Sequence, residues 1–211
     1  YLYRSVWNKQ AHTLHMLPHW TWPGREGEVT PVYVYTDYPE AELFVNGRSQ
    51  GRRTKQDTAR LDRFRLRWNE VVYEPGTVKV VAYDATGHAA DSLSVSTAGT
   101  PSTLHLEADR TVLTADGDDL AFVTVQLHDA AGTFCPTLSD ELTFEVSGAG
   151  SFQAVCNGDA TSTEVFTEPH MHLFSGQLVV VVRSGTQPGP ITLTVRDAAR
   201  NLSQTLTLQA R

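Results

Sequence analysis

The run Pro31-Val32-Tyr33-Val34-Tyr35 and, soon after it, Ala41-Glu42-Leu43-Phe44-Val45-Asn46-Gly47 set the pattern for the whole chain: short β-branched or aromatic stretches closed by turn residues. No other feature constrains the fold as strongly. A strand sends successive side chains to opposite faces, so such runs suit half-buried strands and not helices. In the first half the pattern returns at 64–68 and 78–83, with turn signals at Asn46-Gly47, Pro75-Gly76 and Thr86-Gly87. Asn46-Gly47 is the strongest hairpin signal. The second half carries runs at 102–108, 120–129, 142–146, 152–156, 177–183, 190–195 and 203–209. Ala130-Ala131-Gly132, Gly148-Ala149-Gly150 and Gln187-Pro188-Gly189 punctuate them. About five to seven strands per roughly 100 residues predict an all-β chain of two tandem immunoglobulin-like β-sandwich domains. Only the first ten residues look helical.

Charge places the boundary. Residues 1–99 carry 12 Lys/Arg against 11 Asp/Glu, whereas residues 100–211 carry 5 Arg and no Lys against 13 Asp/Glu. The change falls at Ser96-Thr97-Ala98-Gly99-Thr100-Pro101-Ser102, a stretch with linker chemistry. The expected division is 1–10, 11–99 and 100–211. No apolar run is long enough to span a membrane. Tyr1–Trp7 shows no initiator Met, basic region or cleavage site, so the start reads like the middle of a longer protein. The basic residues Arg48, Arg52, Arg53, Lys55, Arg60, Arg63, Arg65 and Arg67 raise nucleic acid as a partner. Asp57 and Asp62 interrupt them and the chain as a whole is acidic, so the solvent face of an edge strand is the favoured account and no nucleic-acid partner is expected.

Candidate chemical groups do not assemble into a catalytic set. Asp116, Asp118 and Asp119 read as a solvated turn ahead of a calcium loop, because their spacing completes no EF-hand. On a strand His15 and His19 share a face and His12 does not, and no Cys is near, so no metal site is expected. Cys135 and Cys156 are the only cysteines. One disulfide between strands of the second domain and two free thiols both remain open. The segment Leu17-Pro18-His19-Trp20-Thr21-Trp22-Pro23-Gly24 concentrates two of the four tryptophans. On a strand both rings would share one face, either packed as core or presented as an aromatic surface.

The order of several motifs resembles the region that follows the catalytic barrel in bacterial glycoside hydrolase family 2 enzymes of the β-galactosidase type. In the first half these are His15-Met16-Leu17-Pro18-His19-Trp20-Thr21-Trp22, Gly24-Arg25-Glu26-Gly27, Glu42-Leu43-Phe44-Val45-Asn46-Gly47, Arg65-Leu66-Arg67-Trp68, Tyr73-Glu74-Pro75-Gly76 and Val80-Val81-Ala82-Tyr83. In the second they are Ala115-Asp116-Gly117-Asp118-Asp119-Leu120, Phe122-Val123-Thr124-Val125, Val155-Cys156-Asn157-Gly158-Asp159 and Phe174-Ser175-Gly176, similar to the C-terminal immunoglobulin-like domain of the same enzymes. The resemblance implies that residues 1–10 are the tail of the barrel's last helix and that the chain's partner is its own barrel, through which a carbohydrate substrate is reached. It implies no catalytic residue and no cofactor here, so the chain by itself would not hydrolyse glycosides. It points to Trp20, Trp22 and His19 as residues lent to the sugar site, or packed against the barrel. It places the intact enzyme in the periplasm or outside the cell and leaves homo-oligomerisation open. The alternative is a stand-alone carbohydrate-binding or adhesion module. Residues 103–211 hold neither Trp nor Tyr, which makes the second domain a poor sugar platform.

Overall fold

A computed structural model describes residues 1–211. The fold is nearly all β, with one short helix and two compact units, Tyr1–Thr97 and Ala98–Arg211. No helix is long and apolar enough to cross a membrane.

The first unit contains α1 (Leu2–Trp7), β1 (Leu14–Leu17), β2 (Val32–Thr36), β3 (Glu40–Val45), β4 (Arg48–Thr54), β5 (Leu66–Trp68), β6 (Thr77–Tyr83) and β7 (Ala89–Ser96). The strands form sheets ordered β1-β2-β5 and β4-β3-β6-β7. Their inner faces supply one core: Val32, Val34, Leu66 and Trp68 from the first sheet, Ala41, Leu43, Val45, Val78 and Val80 from the second. Burying each Val or Leu contributes roughly 1.5–3 kcal/mol. The alternation predicted for 31–35 is the observed one, with Val32, Val34 and Thr36 buried and Tyr33 and Tyr35 half-buried.

Asn46-Gly47 joins β3 to β4 with φ of 49° and 78°, the backbone a two-residue hairpin of matching twist requires. Asn46 also accepts the Thr77 N–H at 2.8 Å and donates to the Pro75 carbonyl at 3.1 Å, fastening the hairpin to the start of β6. β4 and β7 are the edges of their sheet. The basic run splits between edge strand β4 and the segment leading into β5. Arg52 pairs with Glu40, Arg48 with Glu74, and Arg65 and Arg67 with Asp62.

The second unit contains β8 (Pro101–Ala108), β9 (Val112–Leu113), β10 (Leu120–Asp129), β11 (Glu141–Gly148), β12 (Gly150–Cys156), β13 (His170–His172), β14 (Gln177–Ser184), β15 (Gly189–Asp197) and β16 (Leu202–Ala210). Its sheets run β12-β14-β10-β8 and β13-β11-β15-β16-β9. Val123, Val125, Leu127, Val180 and Val182 face Leu142, Ile191, Leu193, Val195 and Leu208 across the core. Gly148-Ala149-Gly150 is where the chain leaves one sheet for the other. Gly148 has φ +89° and a Cβ there would strike the Pro190 carbonyl, so only glycine fits the corner.

The disulfide reading is corrected, because both cysteines are free. Cys135 is buried beside β10, its N–H bonded to the Leu127 carbonyl, while Cys156 ends β12 on the exposed face opposite to buried Val155. Two thiols on opposite sides of a sheet cannot reach the S–S bonding distance without moving the backbone. The Asp116–Asp119 stretch is a turn closed on itself. Asp116 accepts the N–H groups of Asp118 and Asp119, and Asp119 accepts that of Thr114.

Asp129 organises the start of this unit. Its carboxylate accepts N–H bonds from Gly99 at 2.7 Å, Thr133 at 2.8 Å and Ala131 at 2.9 Å. These bonds, that from Gly99 foremost, hold its pKa below the ordinary carboxylate value. A depressed folded pKa stabilises above the unfolded value of about 3.9 and is lost as pH falls through the folded one. Asp129→Asn should therefore lower the melting temperature most at neutral pH, with the gap to the unsubstituted chain closing below about pH 4. A gap independent of pH in thermal scans from pH 7 to pH 3 would refute this.

Candidate functional site

The tryptophan segment is not a strand. After β1 the backbone leaves the sheet at Pro18, and the Leu17–Pro18 peptide is cis. Residues 19–22 are then tied to side chains and loops instead of a ladder. This breaks the expectation that both rings share one face, since period two holds only for extended, paired backbone.

Trp20 turns inward and is 0% exposed. Its indole N–H donates to the Glu74 carbonyl at 3.0 Å, and its ring meets Tyr73 edge-on at 5.2 Å between centroids. Its carbonyl accepts the Thr97 hydroxyl at 2.6 Å, and that hydroxyl in turn accepts the Gly76 N–H at 3.0 Å. Trp22 turns outward. Its backbone N–H donates to the Tyr73 hydroxyl at 3.2 Å and its indole N–H to the His19 carbonyl at 3.0 Å. Its half-buried ring stacks on His19 at 4.0 Å and lies 5.0 Å from the Arg25 guanidinium, which is itself paired with Glu28. Tyr73 thus touches both residues, its ring against the Trp20 indole and its hydroxyl against the Trp22 backbone N–H.

A sugar cannot reach Trp20 in this corner, so the reading of Trp20 as a substrate-contacting residue is corrected: it is core. His19 and Trp22 do lie together at the surface. Burial lowers the His19 pKa, which favours the neutral ring. Its Nδ1 accepts the Thr21 N–H at 3.2 Å, which puts the ring proton on Nε2. The other two histidines of the triplet are elsewhere. His12 Nδ1 lies 2.6 Å from Asp37, and His15 stacks on Tyr1 at 3.5 Å.

An exposed apolar feature of the first unit lies on α1, which packs beside β2. Tyr3 is 66% exposed and Trp7 71% exposed, and their rings stack at 4.8 Å. Leu2, Tyr3, Val6 and Trp7 line a small apolar groove with Phe64. The signal was present in the sequence as an aromatic pair at i, i+4, which a helix brings to one face. It carries no chemistry of its own and is visible as a site only through its exposure.

Comparison with known proteins gives the same picture for both units. Residues 104–205 match the glycoside hydrolase family 2 C-terminal domain 5. Residues 27–90 match a domain of unknown function, DUF4982. A β-galactosidase of Bacteroides ovatus is 41% identical over 195 residues, which is 92% of this chain and 22% of that protein. A glycosyl hydrolase family 2 member of Bacteroides cellulosilyticus superposes with TM-score 0.90 at 28% identity, over 100% of this chain and 30% of that one. A β-glycosidase of Bacteroides vulgatus superposes with TM-score 0.88 at 30% identity, over 99% and 26%. The chain spans about a fifth of the length of the curated relatives it matches.

Proposed function

We propose that this chain, whose two domains belong to the C-terminal region of family 2 glycoside hydrolases, serves in its intact protein as the buttress of a catalytic barrel. The intact protein would hydrolyse terminal β-galactosides or related glycosides. The observation that carries the buttress is the aromatic ridge of α1. Exposed apolar patches are uncommon on soluble surfaces and mark interaction sites. A covered Trp buries about 150–250 Å², and here Tyr3 and Trp7 stand clear of their own domain.

The test is made in the full-length enzyme. Trp7→Ala with Tyr3→Ala should shorten the half-life of activity at elevated temperature, about tenfold for each ~1.4 kcal/mol of docking lost. The melting transition of the first unit should hardly move. An unchanged half-life would overturn the reading. A change of oligomeric state instead would assign the ridge to self-association.

A second reading concerns His19 and Trp22, which are accessible together. If they border the sugar site, Trp22→Ala raises KM for the glycoside with little loss of stability. If they only pack, the order of the two effects reverses.

A further inference from the structure

β13 is three residues long, His170-Met171-His172, and pairs only with β11 at the edge of its sheet. Alternation buries Met171 and leaves both histidines on the outer face, about half exposed. Each ring is held by a carboxylate. His170 Nδ1 lies 3.0 Å from Oε1 of Glu141, which stands opposite His172 in the register. His172 Nδ1 donates to Glu164 Oε1 at 2.9 Å, and the same oxygen accepts the His172 backbone N–H at 3.0 Å. Ser162 donates to the other Glu164 oxygen at 3.1 Å, and Asn157 donates to the His172 carbonyl at 2.9 Å.

A carboxylate only accepts, so the bond to Glu164 puts the His172 proton on Nδ1 and its lone pair on Nε2, while His170 faces Glu141 through the same nitrogen in an ion-pair contact. Histidines that bind metals are oriented in this way, with the distal nitrogen donating to a carboxylate. His12 makes the same contact with Asp37 at 2.6 Å but has no second histidine two residues away on a strand face, and other rings differ. His128 engages Gly132 through Nδ1 and Gln126 through Nε2, and His19 accepts at Nδ1. We propose that His170 and His172 are paired Nε2 ligands of a borderline divalent transition-metal ion of the zinc, nickel or copper class. Imidazole nitrogen suits these ions, whereas calcium and magnesium take oxygen. No third His, Cys, Asp or Glu joins them, so water completes the coordination and the site is open and exchangeable. Glu141 and Glu164 are positioning residues.

Zinc chloride titrated into the 211-residue chain near pH 7.5 should give one saturable site by calorimetry, reversed by a chelator. His170→Ala and His172→Ala should each weaken it at least tenfold. Glu141→Gln and Glu164→Gln should weaken it about 10–100-fold. His105→Ala, at the stacked His105–His128 pair on the other sheet, should leave it unchanged. In proton–nitrogen NMR the zinc-induced shifts should centre on 141, 164 and 170–172, and the same spectra confirm that each variant is folded. Absence of saturable binding up to millimolar zinc overturns the proposal. So does binding that survives both His→Ala changes, or is lost in His105→Ala.

Discussion

Trp20→Ala should cost the first unit about 3–5 kcal/mol, the range for removing a fully enclosed large aromatic. Three losses combine. The indole leaves a cavity between the sheets, the Glu74 carbonyl loses the N–H donor 3.0 Å away, and the edge-on contact with Tyr73 disappears. A single domain holds roughly 5–15 kcal/mol in all, so the variant sits near its unfolding threshold. The measurement is direct, because all four tryptophans lie in the first unit and their fluorescence follows that unit alone. In urea the midpoint should fall steeply for Trp20→Ala and only modestly for Trp22→Ala, whose ring is half-buried. Equal shifts for the two variants would show that the inward and outward assignments are wrong.

Gly176→Ala should be nearly as damaging in the second unit. Ser175 and Gly176 form a two-residue turn between Phe174 and Gln177, with φ of 52° and 77°. The second position is strained for any residue with a Cβ, at about 1–3 kcal/mol. It is also walled in. A Cβ at Gly176 would collide with the Cys135 carbonyl and lie 3.2 Å from the Phe134 ring. Backbone cannot yield as a side-chain tip does, so overpacking adds about 1–3 kcal/mol. The turn cannot simply move, because the Gly176 N–H is bonded to the Leu138 carbonyl at 2.9 Å. Gly132→Ala is the control, with positive φ of 79° but open space around its Cβ, and should show the strain cost alone. The readout is circular dichroism or NMR of residues 98–211, since no tryptophan reports there. Equal destabilisation by both changes would remove the packing part of the argument.

Which strands were legible depended on where they lie. Leu120–Asp129 was readable at its full extent, because it is a central strand with a buried residue at every second place. β7 and β13 were not readable, and β4 showed only through its basic run, as the solvent face of an edge strand. They are edge strands, rich in Arg, Ser and His, with little or no face turned to the core. Hydrogen bonding to one neighbour makes them strands, and a hydrophobic pattern cannot report that. The candidate site divides in the same way. The His-Trp-Thr-Trp stretch announced itself by composition, but its strand geometry was assumed, and loss of the ladder at Pro18 sends one indole in and the other out.

By itself, then, the sequence determined the all-β class and the turns at Asn46-Gly47 and Gly148-Ala149-Gly150, because local backbone preference and side-chain alternation are written residue by residue, and the order of its motifs carried the family resemblance. Tertiary structure alone decided that Trp20 is core, that Cys135 and Cys156 stand apart, that the α1 ridge is uncovered, and that Glu141 and Glu164 meet His170 and His172. Those facts depend on which segments the sheets bring together across tens of residues, and no local pattern encodes such a meeting.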